Sequence, residues 1–317
     1  MEESITVKLG SRKRRFVAFI LDMMLIGMIG YLSTFLFESF YMKLGNSGKL
    51  IGAVIVLIYF GIFDSKIGNG QSIGKKILKI QVVNKNSECI SVSKSILRSL
   101  WLFTYILLNG FSLGNSKYIP IIIILGTILF SIVLLEIYFF IFNKKTKQSF
   151  HDLLADSFVI LTDSKGEIEF KNNKKILYCS IIIPIFILSI TICLNISAKN
   201  TFLGDYLRII DIIQEDIPVH QTTISKNVSI FKNSNGTSEQ HYIILNTYKN
   251  NKSDDEKEIA VKIAKTVFDN GLTINENEIF SIVISSGFNI GIASKKMNQR
   301  FNGTVEQWKY EIEKIDN

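Results

Sequence analysis

Three ionisable side chains stand inside apolar runs of this sequence: Asp22, Arg98 and Glu136. A carboxylate or guanidinium in hydrocarbon is costly unless it is paired or hydrated, so such residues mark either a function or a lock. At about 1.5 Å of helix per residue, Asp22 and Glu136 each lie about 9 Å in from the same end of their runs. Arg98 enters from that end with the reach to meet either. Arg15, Asp64, His151 and Asp152 flank the same layer. Two chemistries fit. The charges line a polar pocket that binds a cation or relays a proton, or they form a static ion-pair cluster that locks helices together. A continuous relay is not visible, because the far halves of the runs hold almost no ionisable residue beyond Glu38.

Other chemistries lack their residues. The sequence has no H-E-x-x-H, no P-loop, no G-x-S-x-G and no paired C-x-x-C, so we expect no metal, no cofactor and no enzyme activity. Cys179 and Cys193 share one apolar run, and their separation is about 21 Å on a helix, beyond disulfide reach. With Cys89 they read as packing residues. His220 and His241 read as surface or sheet-packing groups, and Ser285 and Ser286 have no base nearby in sequence. Trp308 suits the core of its helix.

The elements that must position the charges are long and apolar. Residues 16–37, 50–63, 96–113, 121–142 and 176–196 read as five membrane spans; a span needs about 20 residues, so 50–63 is marginal. Pro184 should kink the last span. Between them, residues 70–80 alternate apolar and basic positions at helical spacing. That pattern suits a short helix in the headgroup layer, with Lys75, Lys76 and Lys79 touching anionic lipid. Residues 81–92 and 157–170 each read as a small hairpin.

The chain has 317 residues, 36 Lys and Arg against 28 Asp and Glu, and 47% apolar content. Its basic excess is confined to residues 1–195, which hold 22 Lys and Arg against 12 Asp and Glu. Topology and anionic lipid explain that excess without nucleic acid. Segments 1–15, 64–95 and 143–175 carry 18 Lys and Arg, whereas 38–49 and 114–118 carry 3. This bias places the first set in the cytoplasm and everything after residue 196 outside.

The resulting fold class is an α-helical transmembrane bundle of about five spans followed by a small α/β (α+β) soluble domain. Residues 1–163 form the membrane domain with four spans and cytoplasmic hairpins, 164–175 a basic cytoplasmic linker, 176–196 the fifth span, and 197–317 the extracytoplasmic domain. In that last domain a helix is expected over 202–217 and strands over 228–231 and 241–248. A helix then opens at Asp254, Asp255 and Glu256, a hairpin over 279–293 turns at Ser286 and Gly287, and a helix starts at Thr304.

Three stretches carry a resemblance: Arg15-Phe-Val-Ala18-Phe-Ile-Leu-Asp22, Gly70-Gln71-Ser72-Ile73-Gly74-Lys75-Lys76, and His151-Asp152-Leu153-Leu154-Ala155-Asp156. In this order they resemble the RDD family of bacterial membrane proteins over residues 8–163, with the naming arginine and aspartates at Arg15, Asp22 and Asp152. The sequence departs from similar ones at Asp156 and Ser157, where glycine and threonine are frequent. The resemblance implies a multi-pass bacterial cytoplasmic membrane protein, with ion or small-solute transport or membrane-bound regulation as functions. Our first reading is a membrane-anchored regulatory protein whose external domain binds a protein or cell-wall partner. The alternative is a small-solute or cation/proton transporter using the cytoplasm-facing acidic layer. Either is compatible with a homo-oligomer.

Overall fold

The computed structural model describes residues 7–108, 119–164, 166–168, 185, 187–189, 203–233, 236–249, 255–272 and 274–316. All but four positions of the expected fifth span, Pro184 included, lie outside these, as does the turn expected at 114–118. Helix α1 (Arg12–Leu44) starts at Ser11, whose side chain accepts from Arg14 N, and ends at Gly45 with φ 53°. At 33 residues it is about 50 Å long, more than the hydrocarbon thickness of about 30 Å. The expected polar loop after residue 37 is instead its last two turns, with one non-helical residue at Phe37.

The buried residues of α1 recur every four positions: Ala18, Asp22, Ile26 and Gly30. Large apolar side chains such as Met24, Met28, Phe35 and Leu36 face outward instead. A water-soluble helix would present the reverse pattern. Small and polar residues inside with large apolar ones outside is how helices pack in lipid, where close backbone approach replaces the hydrophobic drive.

After a short 3-10 turn (Gly45–Gly48), α2 (Lys49–Phe63) runs back along α1 and packs on α4 (Val92–Leu108). Between them come α3 (Ile73–Ile77) and β1 (Ile80–Val83); α5 (Ile119–Phe142), α6 (Phe150–Leu154) and β2 (Phe158–Leu161) follow. Among the described residues two helical stretches, Arg12–Phe63 and Ile124–Phe142, are long and apolar enough to cross a membrane. Of the two expected hairpins, the first is reduced to one antiparallel bridge between Val83 and Cys89, with Asn84 N donating to Glu88 O, and the second lies partly outside the described residues. β1 pairs antiparallel with β2, Ile80 opposite Leu161 through Val83 opposite Phe158. The segment before α1 extends that ladder, with Leu9 bridged to Ile160 and Gly10 N donating to Val159 O. Burial decides this: Ile80, Val82, Val83, Val159 and Ile160 are covered on both faces, which neither local hairpin could achieve alone.

The C-terminal domain comprises α7 (Leu203–Asp216), β3 (His220–Asn233), β4 (Gly236–Lys249), α8 (Glu256–Asp269), β5 (Ile279–Asn289), β6 (Ser294–Gly303) and α9 (Val305–Asp316). Its four-stranded sheet has the order β3-β4-β5-β6, antiparallel except for the β4–β5 pair. A parallel pair needs a crossover, and α8 supplies it. Asp255 caps α8 by accepting from Lys257 N, with Glu256 and Glu258 in the first turn. The core joins Ile209, Ile213, Leu245, Ile263, Val267, Phe280 and Ile282 to Trp308, whose Nε1 donates to Phe280 O at 2.9 Å. The β5–β6 turn lies at residues 290–293 rather than at Ser286 and Gly287, where the ladder continues. It is closed by Ile290 N donating to Ala293 O and by Gly291 at φ 80°.

That turn packs on the helices. Ile290 is fully buried against Tyr41, Phe288 and Ile51, and Ile292 packs on the cluster of Ile26, Ala53, Val56 and Ile106. Four glycines allow the approach. A Cβ at Gly52 would collide with Ile290 O, one at Gly30 would sit 2.8 Å from Ile292 Cγ1, one at Gly48 3.0 Å from Ile290 Cγ2, and one at Gly291 would strike Ile106. Lys295 Nζ reaches Glu38 Oε1 at 2.6 Å beside this contact. The 15 residues of α2 span about 22 Å, and the hairpin fills the space beyond its short end.

Trp308→Phe should cost the full protein about 1–3 kcal/mol by leaving a buried carbonyl one donor short. A urea melt in detergent that matches the parent would count against this core arrangement.

Candidate functional site

The charged layer lies at the opposite end of the helices from the hairpin. It is built from loop-to-helix junctions, because these alone can bring polar groups to the bundle axis without placing them in mid-span. Asp22 is fully buried on the inward stripe of α1 and accepts from Tyr59 Oη at 2.7 Å, Ser72 Oγ at 2.5 Å and Gly74 N at 2.7 Å. It therefore caps the first turn of α3 from another helix, in the place a local side chain would ordinarily take. Glycine is required at 74, since a Cβ there would collide with Ala18 O.

Asp64, just after α2, accepts from Lys75 Nζ at 2.7 and 2.8 Å and from Arg98 NH1 at 2.9 Å. Arg98 also donates from Nε to Asp152 Oδ1 at 2.9 Å. Asp152 closes a capping box with Ser149, accepting Ser149 N at 2.9 Å, and takes the Arg15 guanidinium on Oδ2. Arg15 also donates to Ser149 Oγ and to the Lys147 carbonyl. Because Lys75 reaches Ser72 Oγ at 3.3 Å, the ring runs from Arg15 through Asp152, Arg98, Asp64, Lys75 and Ser72 to Asp22. It begins and ends on α1.

Glu136 of α5 joins through His151. Its Oε1 accepts from His151 N at 2.9 Å and its Oε2 lies 3.0 Å from His151 Nδ1. The imidazole stacks on Trp101 at 5.8 Å with planes 10° apart. A cavity of about 410 Å³ opens beside it, between α1, α4 and α5, walled by aromatic and aliphatic side chains, with Glu136, His151, the Arg15, Lys75 and Arg98 cations, Asp64 and two serines at its polar edge.

Burial alone would raise the Asp152 carboxyl, yet Arg15, Arg98 and His151, with the Ser149 N–H, hold it well below the usual carboxylate range. Burial pushes the Lys75 ammonium down, against the opposing pull of Asp64.

All five motif and intramembrane charges named from the sequence, Arg15, Asp22, Arg98, Glu136 and Asp152, meet in one layer. The pairing differs from the expected one. Arg98 meets Asp64 and Asp152 rather than Asp22 or Glu136, because Asp22 is already saturated by neutral donors. Lys75 turns inward to Asp64 instead of toward headgroups, and Lys76 and Lys79 remain exposed. Tyr59 and Ser72 were not foreseen as partners, although Ser72 two residues before Gly74 is a legible helix-start signal. The charged groups are not gathered for metal: among the described residues no group of three His, Cys, Asp or Glu is placed to hold an ion.

Asp152→Asn removes one charge from buried pairs with two arginines and should lower stability by about 3–5 kcal/mol at neutral pH. The depressed carboxyl contributes stability above the unfolded carboxylate value of about 3.9 and loses it as pH falls toward the lower folded value. The gap between parent and variant should therefore close in strong acid. Detergent thermal melts across pH would check both points, and a constant gap would contradict the pairing.

No curated protein and no solved structure matches the chain. Residues 9–156 match the family model of the RDD family, which takes in Arg15, Asp22, Asp64, Lys75, Arg98, Glu136, His151 and Asp152. Over residues 9–156, which hold the whole charged layer, the chain is consistent with an RDD-family, membrane-associated protein.

Proposed function

We propose that this protein is a multi-pass protein of a bacterial cytoplasmic membrane whose RDD bundle holds a regulatory, partner-binding domain at the outer surface. The observation that carries the reading is the β5–β6 hairpin seated among α1, α2 and α4. A tether alone would leave the domain free, whereas Ile290 is buried and Ile292 half-buried among helix residues at the end away from the lysine-rich segments. Ile168 N bonds to Lys85 O at the charged end, while the hairpin of the C-terminal domain packs at the other. This agrees with an odd number of crossings, five in our reading, with the lysine-rich segments inside. The external partner is a protein or a wall component, and anionic lipid surrounds the inner face.

The anchor reading is favoured over transport by how the charges are used. Asp22, Asp64 and Asp152 each have both carboxylate oxygens engaged, which suits a lock better than a relay. We assign the chain no catalytic role.

Carbodiimide treatment of intact cells should join the Lys295 amine to the Glu38 carboxylate within one chain, detectable as a cross-linked peptide. Gly52→Leu should abolish that product and raise protease cleavage of the external domain about tenfold or more. Cross-linking unchanged by Gly52→Leu, or a periplasm-active reporter silent at Asn317, would overturn the arrangement.

A further inference from the structure

The ring of charges closes without Glu136. Arg15, Lys75 and Arg98 supply three positive charges, and Asp22, Asp64 and Asp152 supply three negative ones, each cation already meeting a carboxylate. Among the described residues Glu136 pairs with His151 and with no lysine or arginine. Its carboxylate stands at the edge of the 410 Å³ cavity, whose walls include Phe16, Phe19, Trp101 and Phe140. The volume lies in the range of small-ligand sites, about 300–1,000 Å³. Aromatic faces attract a cation through their quadrupole, and a carboxylate in an apolar setting gains most from a weakly hydrated one.

We propose that this cavity binds a monovalent organic cation, its charged centre at Glu136 and its apolar body among the rings of α1, α4 and α5. An anionic head is disfavoured because the cations at the cavity edge are already matched by carboxylates. A bare metal ion is disfavoured because the walls offer it few oxygens. A neutral lipid chain would fill the apolar space and make no charge contact with Glu136. The site stands apart from the external domain, so its occupancy does not depend on what that domain binds.

The test uses the full chain in nanodiscs, titrated with benzyltrimethylammonium and with its neutral isostere neopentylbenzene. Trp101, stacked on His151, provides a fluorescence signal, and calorimetry a second readout. Saturable binding of the cation is expected, at least tenfold tighter than the neutral isostere. Glu136→Gln, which keeps an acceptor for His151, should weaken the cation at least tenfold and leave the isostere unchanged. Ile137→Trp, on the cavity wall, should abolish binding while Glu136 remains, and it decides the matter if Glu136→Gln does not fold. Equal affinity for the two probes would mean the space takes lipid tails, and that result, an unaffected Glu136→Gln, or no saturable binding by the parent would overturn the proposal.

Discussion

Asp152 between Arg15 and Arg98 is the contact on which the membrane half depends. Two guanidinium groups from different helices share one carboxylate, and that carboxylate also caps its own short helix through Ser149 N. Removing charges from water is favourable only when geometry is good and the remaining lone pairs are used. Here they are. Asp64 and Asp22 repeat the solution with different donors, a lysine and an arginine in one case and a tyrosine, a serine and a backbone N–H in the other. The result ties every helix of the RDD region to α1 at one level, where lipid could never have satisfied those groups.

At the other end the same helix relies mainly on close packing, with one exposed ion pair, Glu38 to Lys295, beside it. Gly30 on α1 and Gly48 and Gly52 around the start of α2 strip side chains from the surface, and the turn of β5 and β6 fits into the space. Small residues at a helix contact ordinarily let another helix approach. In this protein they admit a β-turn from a separate domain, with its isoleucines taking the place of lipid.

The helices and the charged layer were legible because hydrophobic runs and the ions inside them are local signals. Asp22 and Glu136 sit at equal depth in their runs, and the structure indeed places them in one layer. Which partner each charge takes was not legible, since Arg98 and Asp64 are 34 residues apart and nothing in spacing prefers that pair to Arg98 and Asp22. Lys75 misled for a related reason. A lysine in an amphipathic basic segment reads as surface, and only the position of Asp64 behind it turns it inward. The strands at 80–83 and 158–161 were legible but their pairing with each other was not, because each has a plausible local partner in sequence. The hairpin seated among the helices left no trace in the sequence beyond apolar residues at a turn.

The small sheet at the charged end has a consequence for how the chain is made. Lys8 N donates to Ser164 Oγ across 156 residues, and Leu9 bridges Ile160, so the segment before α1 finds its partners only beyond the family match that ends at residue 156. Contacts so distant in sequence close late, after the loop between them has been synthesised. Helices α1 to α5 are therefore made before Asp152 and β2 exist to organise them. For that interval Arg15 lacks Asp152 and Arg98 has only Asp64, and release of residues 149–164 becomes the moment at which a loose set of helices sets into one body.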